Sequence, residues 1–167
     1  MFLFWWFIIT LLIFAVILPF IIIGATGDVY YPAGMNKVKI MLDLIGKCEG
    51  LKVYDLGSGD GRIVYEFARK GANAVGVEVN PILYLFSIVW VKLKGLNNTR
   101  FKCESFWNTK VSDADIIAIF IIPKMLPRMF KKLKKELEPG TKVVSYAFEF
   151  PDFKLLKQRE NVYLYEV

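Results

Sequence analysis

Val53-Tyr54-Asp55-Leu56-Gly57-Ser58-Gly59-Asp60-Gly61-Arg62 is the stretch that decides the fold. Residues 51–56 form a short apolar, β-branched run, the pattern of a strand buried on both faces. The run ends on an acid and passes directly into three alternating glycines, Gly57, Gly59 and Gly61, where missing side chains let the backbone approach a ligand closely. Residues 62–70 then show apolar side chains at helical spacing and stop at Gly71. A dinucleotide fingerprint, Gly-x-Gly-x-x-Gly counted from Gly57, would need glycine where Arg62 stands.

Working outward, strand and helix patterns alternate. Residues 74–78, 99–103, 116–122 and 142–148 read as strands, and 35–45, 81–94 and 125–137 as helices. A final pair near 153–157 and 162–167 could close the sheet as a hairpin. Such alternation predicts an α/β, Rossmann-like fold: a mostly parallel sheet with helices on both faces, binding its ligand beyond the carboxyl ends of the strands, beside the first. Glu78 ends the second strand about 20 residues past the loop, where an acid can hydrogen-bond both ribose hydroxyls of an adenosine. Val79 follows it, and Asn80-Pro81 opens a helix.

The N-terminal end has a different character. From Phe2 to Gly24 every residue except Thr10 and Pro19 is apolar or glycine, and no charged residue precedes Asp28. A helix needs roughly 20 such residues to cross the hydrocarbon core, so one transmembrane helix is expected before the domain. Trp5 and Trp6 would suit one interface. A cleaved signal peptide fits less well, because a basic n-region and a shorter apolar stretch are both missing. With no Lys or Arg before the span and Lys37, Lys39 and Lys47 soon after it, the positive-inside rule predicts a single-pass membrane protein whose catalytic domain faces the cytoplasm. The expected division is therefore 1–27 for the anchor and linker start and 28–167 for one globular domain, with the lipid bilayer as a partner.

Composition removes several chemistries. The chain contains no histidine, which excludes His-based metal sites, Ser-His-Asp triads and imidazole bases. Cys48 and Cys103 are too few for a disulfide framework or a thiolate metal site, so no metal is expected. The net charge of +6 gathers partly at Lys131, Lys132, Lys134 and Lys135, either a solvated helix face or an attraction to anionic headgroups.

Residues 53–62 and 75–81 resemble the first two motifs of class I, seven-stranded methyltransferases dependent on S-adenosylmethionine. Tyr54-Asp55-Leu56-Gly57-Ser58-Gly59-Asp60-Gly61-Arg62-Ile63-Val64 with Gly76-Val77-Glu78-Val79-Asn80-Pro81 is similar to the small protein-lysine methyltransferases, archaeal members and the mitochondrial ATP-synthase c-subunit and adenine-nucleotide-translocase lysine methyltransferases among them. Phe106-Trp107, Gly140-Thr141-Lys142-Val143-Val144-Ser145 and Phe148-Glu149 continue the resemblance, which runs from Tyr30 to the C-terminus. Several members of that family also carry an N-terminal membrane segment. Two departures stand out: Pro32-Ala33-Gly34 where the family has proline-threonine-proline, and Ser105 where an aspartate or asparagine is usual.

The resemblance implies S-adenosylmethionine as cofactor, held by Asp55, Gly57, Ser58, Gly59, Asp60, Gly61, Glu78, Val79, Asn80 and Ser105. Asp55 would accept from the methionine ammonium, or else cap the turn backbone. The acceptor would be a protein lysine on a membrane or membrane-proximal protein, desolvated by Phe106, Trp107 and Tyr146 and held or deprotonated by Glu149. Ordinary core packing is the alternative for Phe106 and Trp107. Exocyclic-amine methylases of nucleic acids carry an acid or asparagine, two prolines and an aromatic after the fourth strand; Ile122-Pro123-Lys124-Met125 argues against them. A small lipophilic acceptor, or an inactive nucleotide-binding scaffold, are the other two readings.

Overall fold

The computed structural model describes residues 2, 4–11, 13, 14 and 32–167. The chain divides into two units, Met1–Tyr31 and Pro32–Val167. In the first, residues 4–11 are helical, and the Thr10 hydroxyl donates to the Trp6 carbonyl at 2.8 Å. The transmembrane helix expected here is corrected: among the described residues no helix is long and apolar enough to cross a membrane. That expectation summed apolar side chains over residues 2–24, whereas the described helical residues reach only to 14. Residues 15–24 of the apolar run, the expected boundary at 27 and most of the linker at 25–34 lie outside the described residues.

In the second unit, helix α1 (Met35–Ile45) precedes β1 (Lys52–Leu56), α2 (Arg62–Arg69), β2 (Asn73–Glu78), α3 (Pro81–Leu93) and β3 (Thr99–Cys103). Then come β4 (Ile116–Ile119), a 3-10 turn (Pro123–Met125), α4 (Leu126–Glu136), β5 (Lys142–Tyr146), β6 (Lys154–Arg159) and β7 (Val162–Glu166). One seven-stranded sheet has the order β3-β2-β1-β4-β5-β7-β6. The first five strands pair in parallel, and β7 runs antiparallel between β5 and β6. The order in which strands are added reverses between β1 and β4, which puts a ligand crevice beyond Leu56 and Ile119.

Strand alternation sorts the core into two layers. Val53, Ala74, Ile116 and Val144 pack against Met41 and Ile45 of α1 and Val64 and Phe67 of α2. Tyr54, Leu56, Val77, Ile117 and Val143 pack against Met129 and Leu133 of α4. By the same alternation Asp55 and Glu78 point to the α1/α2 side. Strand β4 stops at Ile119 instead of running to 122, because Pro123 opens the 3-10 turn and a second proline, Pro127, starts α4. The lysines of α4 divide: Lys132 donates to the Thr109 carbonyl and to Glu136, each at 2.6 Å, and Lys134 pairs with Asp152 at 3.3 Å.

Gly76 sits in the middle of β2 because nothing larger fits. An added Cβ would lie 2.6 and 2.7 Å from ring carbons of Phe101 and 2.8 Å from the Ser58 hydroxyl. Overpacking of that kind costs about 1–3 kcal/mol. Gly76→Ala is expected to lower the thermal unfolding midpoint by several degrees, read by circular dichroism; an unchanged midpoint would mean that Phe101 yields freely.

Candidate active site

The glycine loop is built by its own backbone. Gly57, Gly59 and Gly61 all have positive φ (89°, 54° and 81°), which an L side chain rarely adopts. The Gly57 and Ser58 amides donate to the Val77 carbonyl at 2.9 and 3.0 Å, hooking the loop onto the end of β2. Gly61 donates to the Ser58 carbonyl at 2.8 Å and starts α2. It also lets α3 approach, since a Cβ there would meet the Ser87 Cβ at 2.8 Å.

Glu78 closes the site from the neighbouring strand. One carboxylate oxygen accepts from the Gly59 amide at 2.8 Å and the other from the Asn80 amide at 2.8 Å. An ionised carboxylate has about four acceptor positions, so each oxygen keeps one for a ligand hydroxyl. Asn80 in turn caps α3, accepting from Ile82 and Leu83 at 2.9 and 3.3 Å. Val79, between them, is exposed at the mouth of the crevice.

Asp55 is 2% exposed, and its Oδ2 has no hydrogen-bond partner. Burial first, then the neighbouring Glu78 and Asp60 carboxylates, push its carboxyl up to about 8. The Ser58 hydroxyl is likewise buried without a partner. Asp60 is bound to Arg62, whose Nε lies 2.9 and 3.0 Å from its two oxygens, while Arg62 Nη1 donates to the Ala33 carbonyl at 2.9 Å. Arg62, which stands where a dinucleotide fingerprint would need glycine, thus ties the segment before α1 to the loop. Nothing in the local pattern announces a bond spanning 29 residues.

The aromatic candidates fall into two groups. The Phe106 and Trp107 rings lie 4.7 Å apart at a tilt of 58° and pack on the α4 layer; Phe106 lies 3.9 Å from where a Gly57 Cβ would be. Arg128 of α4 lies 4.2 Å above the Trp107 ring. Tyr146, at the end of β5, packs instead with Phe120 at 4.7 Å on the α1/α2 layer, with the Lys37 ammonium 5.6 Å from its ring centre. Glu149 is exposed beside Tyr163, whose phenol is raised by burial and by that carboxylate. Ser105 accepts weakly from the Trp107 amide at 3.4 Å through its hydroxyl. Two residues that pattern reading passed over are Phe101, wedged against Gly61 and Gly76, and Ser145, whose buried hydroxyl next to Tyr146 has no partner. Among the described residues no cluster of acids or cysteines is placed to hold a metal.

These groups fit S-adenosylmethionine. An orphaned, buried acid beside two further carboxylates suits a ligand bearing a sulfonium and an ammonium, and an acid with free acceptor positions at the end of β2 suits a ribose diol. The family described as the ANTKMT methyltransferase domain matches residues 55–157. The chain belongs to this family.

Relatives agree with that placement. The chain is 38% identical over 125 residues to the ATP-synthase c-subunit lysine N-methyltransferase of Xenopus laevis, covering 74% of this chain and 55% of the relative. It therefore spans little more than half the length of such relatives. Against a protein-lysine N-methyltransferase of Saccharolobus islandicus (strain REY15A) it is 32% identical over 123 residues, 72% of this chain and 76% of that one. Among solved structures, an RNA methyltransferase from Salinibacter ruber in complex with S-adenosyl-L-homocysteine superposes with TM-score 0.75 at 31% identity, covering 81% of this chain and 92% of the other.

Proposed function

We propose that this domain transfers a methyl group from S-adenosylmethionine to the side-chain amine of a protein lysine. The observation that carries the donor half is the Asp55 Oδ2, buried without a hydrogen-bond partner beside the Glu78 and Asp60 carboxylates at the glycine loop. When bound, the donor supplies an electrophilic methyl on a sulfonium, so the protein's task is alignment and exclusion of water. The Gly57–Gly61 backbone, Ser58, Asp55 and Glu78 would hold and orient the donor, and Phe106 and Trp107, on the layer beside Gly57, would keep water from that side of the loop.

The acceptor half rests on the relatives named as lysine N-methyltransferases. An incoming ammonium must lose its proton before it can attack. Aromatic surroundings favour the neutral amine by withholding water, and Tyr146 with Phe120 offers rings at the end of β5. Glu149, exposed beside Tyr163 in the segment after β5, is the acid that would take up the released proton. The finer reading is a lysine on a membrane protein or close to a membrane, in keeping with relatives named for the ATP-synthase c-subunit and the adenine nucleotide translocase.

A second reading, RNA methylation, is favoured by the likeness to the Salinibacter RNA methyltransferase and by the net charge of +6. One assay separates the two. Incubation with radiolabelled S-adenosylmethionine, a lysine-containing protein extract and total RNA is expected to label protein, with mono-, di- or trimethyl-lysine found by mass spectrometry; label confined to RNA overturns the lysine assignment.

A further inference from the structure

Helix α3 carries its apolar side chains on the wrong side for a helix of a globular domain. Ile82, Leu85, Phe86, Val89 and Leu93 recur at i, i+3, i+4, i+7 and i+11, which is one helical stripe, and all five are exposed, Leu85 and Val89 at 58% and Leu93 at 81%. The face toward the sheet is represented by Ser87 and Val91, both fully buried, and is held there by the Tyr65–Trp90 ring contact at 4.9 Å. A helix that is apolar all round is ordinarily covered on every side. This one is not.

Charge says what would cover it. Residues 79–103 contain no acid, and Lys92 and Lys94 stand at the end of the stripe. An apolar face with basic residues at its edge is the pattern of a helix lying in the headgroup layer of an anionic membrane, where aromatic side chains such as Phe86 are also favoured. A second copy of the chain fits less well: one stripe on a 13-residue helix falls short of the roughly 800 Å² per partner that a stable dimer buries, and it offers Lys92 and Lys94 no opposite charge. The stripe also begins at the cofactor crevice, because Asn80, the cap of α3, is bonded through its amide to Glu78.

We propose that the outer face of α3 is a membrane-contact surface that seats in the headgroup layer of an anionic bilayer and holds the mouth of the cofactor crevice against it. The choice of membrane-borne substrates that follows rests on the lysine-methylation reading above; the contact itself does not.

The full chain labelled with a nitroxide at Val89→Cys in a Cys103→Ser background, mixed with phosphatidylcholine vesicles containing phosphatidylglycerol, tests the contact. Expected is a rise of more than about fivefold in the ratio of oxygen to water-soluble relaxant collisions at position 89, as for a side chain entering the acyl boundary, with no rise for a label at Gln158→Cys on β6. A label at 89 that stays in water while the chain sediments with vesicles overturns the proposal. So does spin–spin broadening in vesicle-free buffer, which would show a second copy on the face. In a second arm, Leu85→Glu/Val89→Glu is expected to methylate a soluble lysine peptide at the parent rate and a vesicle-tethered one about tenfold more slowly; equal rates on vesicles count against the surface. If the parent methylates neither peptide, the lysine reading fails while the label at 89 still reports the contact.

Discussion

Glu78→Ala is expected to weaken S-adenosylmethionine binding by more than a hundredfold. Each Glu78 oxygen accepts from a backbone amide, Gly59 on one side and Asn80 on the other, so the side chain clasps loop to strand, and under the proposed function its remaining acceptor positions would meet the donor's ribose hydroxyls. A hydrogen bond from a ligand hydroxyl to a charged group contributes about 1.5–3 kcal/mol, and two such bonds lost together correspond to a factor of about one hundred or more. The Gly59 amide would also be left unsatisfied next to the loop it positions. Glu78→Gln separates the two roles: its carbonyl can keep one amide but not both, and an intermediate loss of about tenfold is expected. Titration calorimetry on the purified proteins reads all three. Parent-like affinity in Glu78→Ala would remove Glu78 from the site.

What pattern could and could not foresee divides by range. The glycine loop, the acid at the end of β2 and the proline-opened α3 are local, each fixed by backbone geometry or by a few neighbouring side chains, and they are legible residue by residue. The clasp from Arg62 to the Ala33 carbonyl, Phe101 under Gly76 and the separation of Tyr146 from Phe106 and Trp107 come from packing between distant segments, which spacing does not encode. In sequence Tyr146 groups with the other aromatics because it ends a strand near them; period-two alternation turns it to the opposite face. The apolar N-terminal run shows the converse error, since hydropathy counts side chains without regard to whether one helix carries them, and no described helix is long enough to span. The outward stripe of α3 is illegible for a similar reason: a wholly apolar helix looks the same from sequence whether or not its outer face is covered.

Binding of S-adenosylmethionine is expected to strengthen about tenfold for each pH unit between 6 and 8 and then to level off. Burial and the Glu78 and Asp60 carboxylates raise Asp55 to about 8, so in the free protein near neutrality it is mostly protonated. Its value in the unfolded chain is about 3.9. A folded value above the unfolded one means that the stability contribution is fully present below about pH 4 and is lost as pH rises through 8. A cationic ligand reverses the preference, because the ionised carboxylate is the form that attracts an ammonium or sulfonium. Binding below pH 8 must then expel one proton, and affinity at pH 6 should be roughly a hundredfold below the plateau. Proton release is visible as calorimetric heat that changes with the ionisation enthalpy of the buffer. Asp55→Asn removes the titrating group, and measuring it over the same range subtracts the titration of the ligand's own amine. The variant should bind weakly at every pH with no release near neutrality, and it should unfold at a higher temperature than the parent at pH 8, since a buried, like-charged carboxylate is gone. Equal pH slopes in parent and Asp55→Asn would mean that Asp55 does not meet the charged end of the ligand.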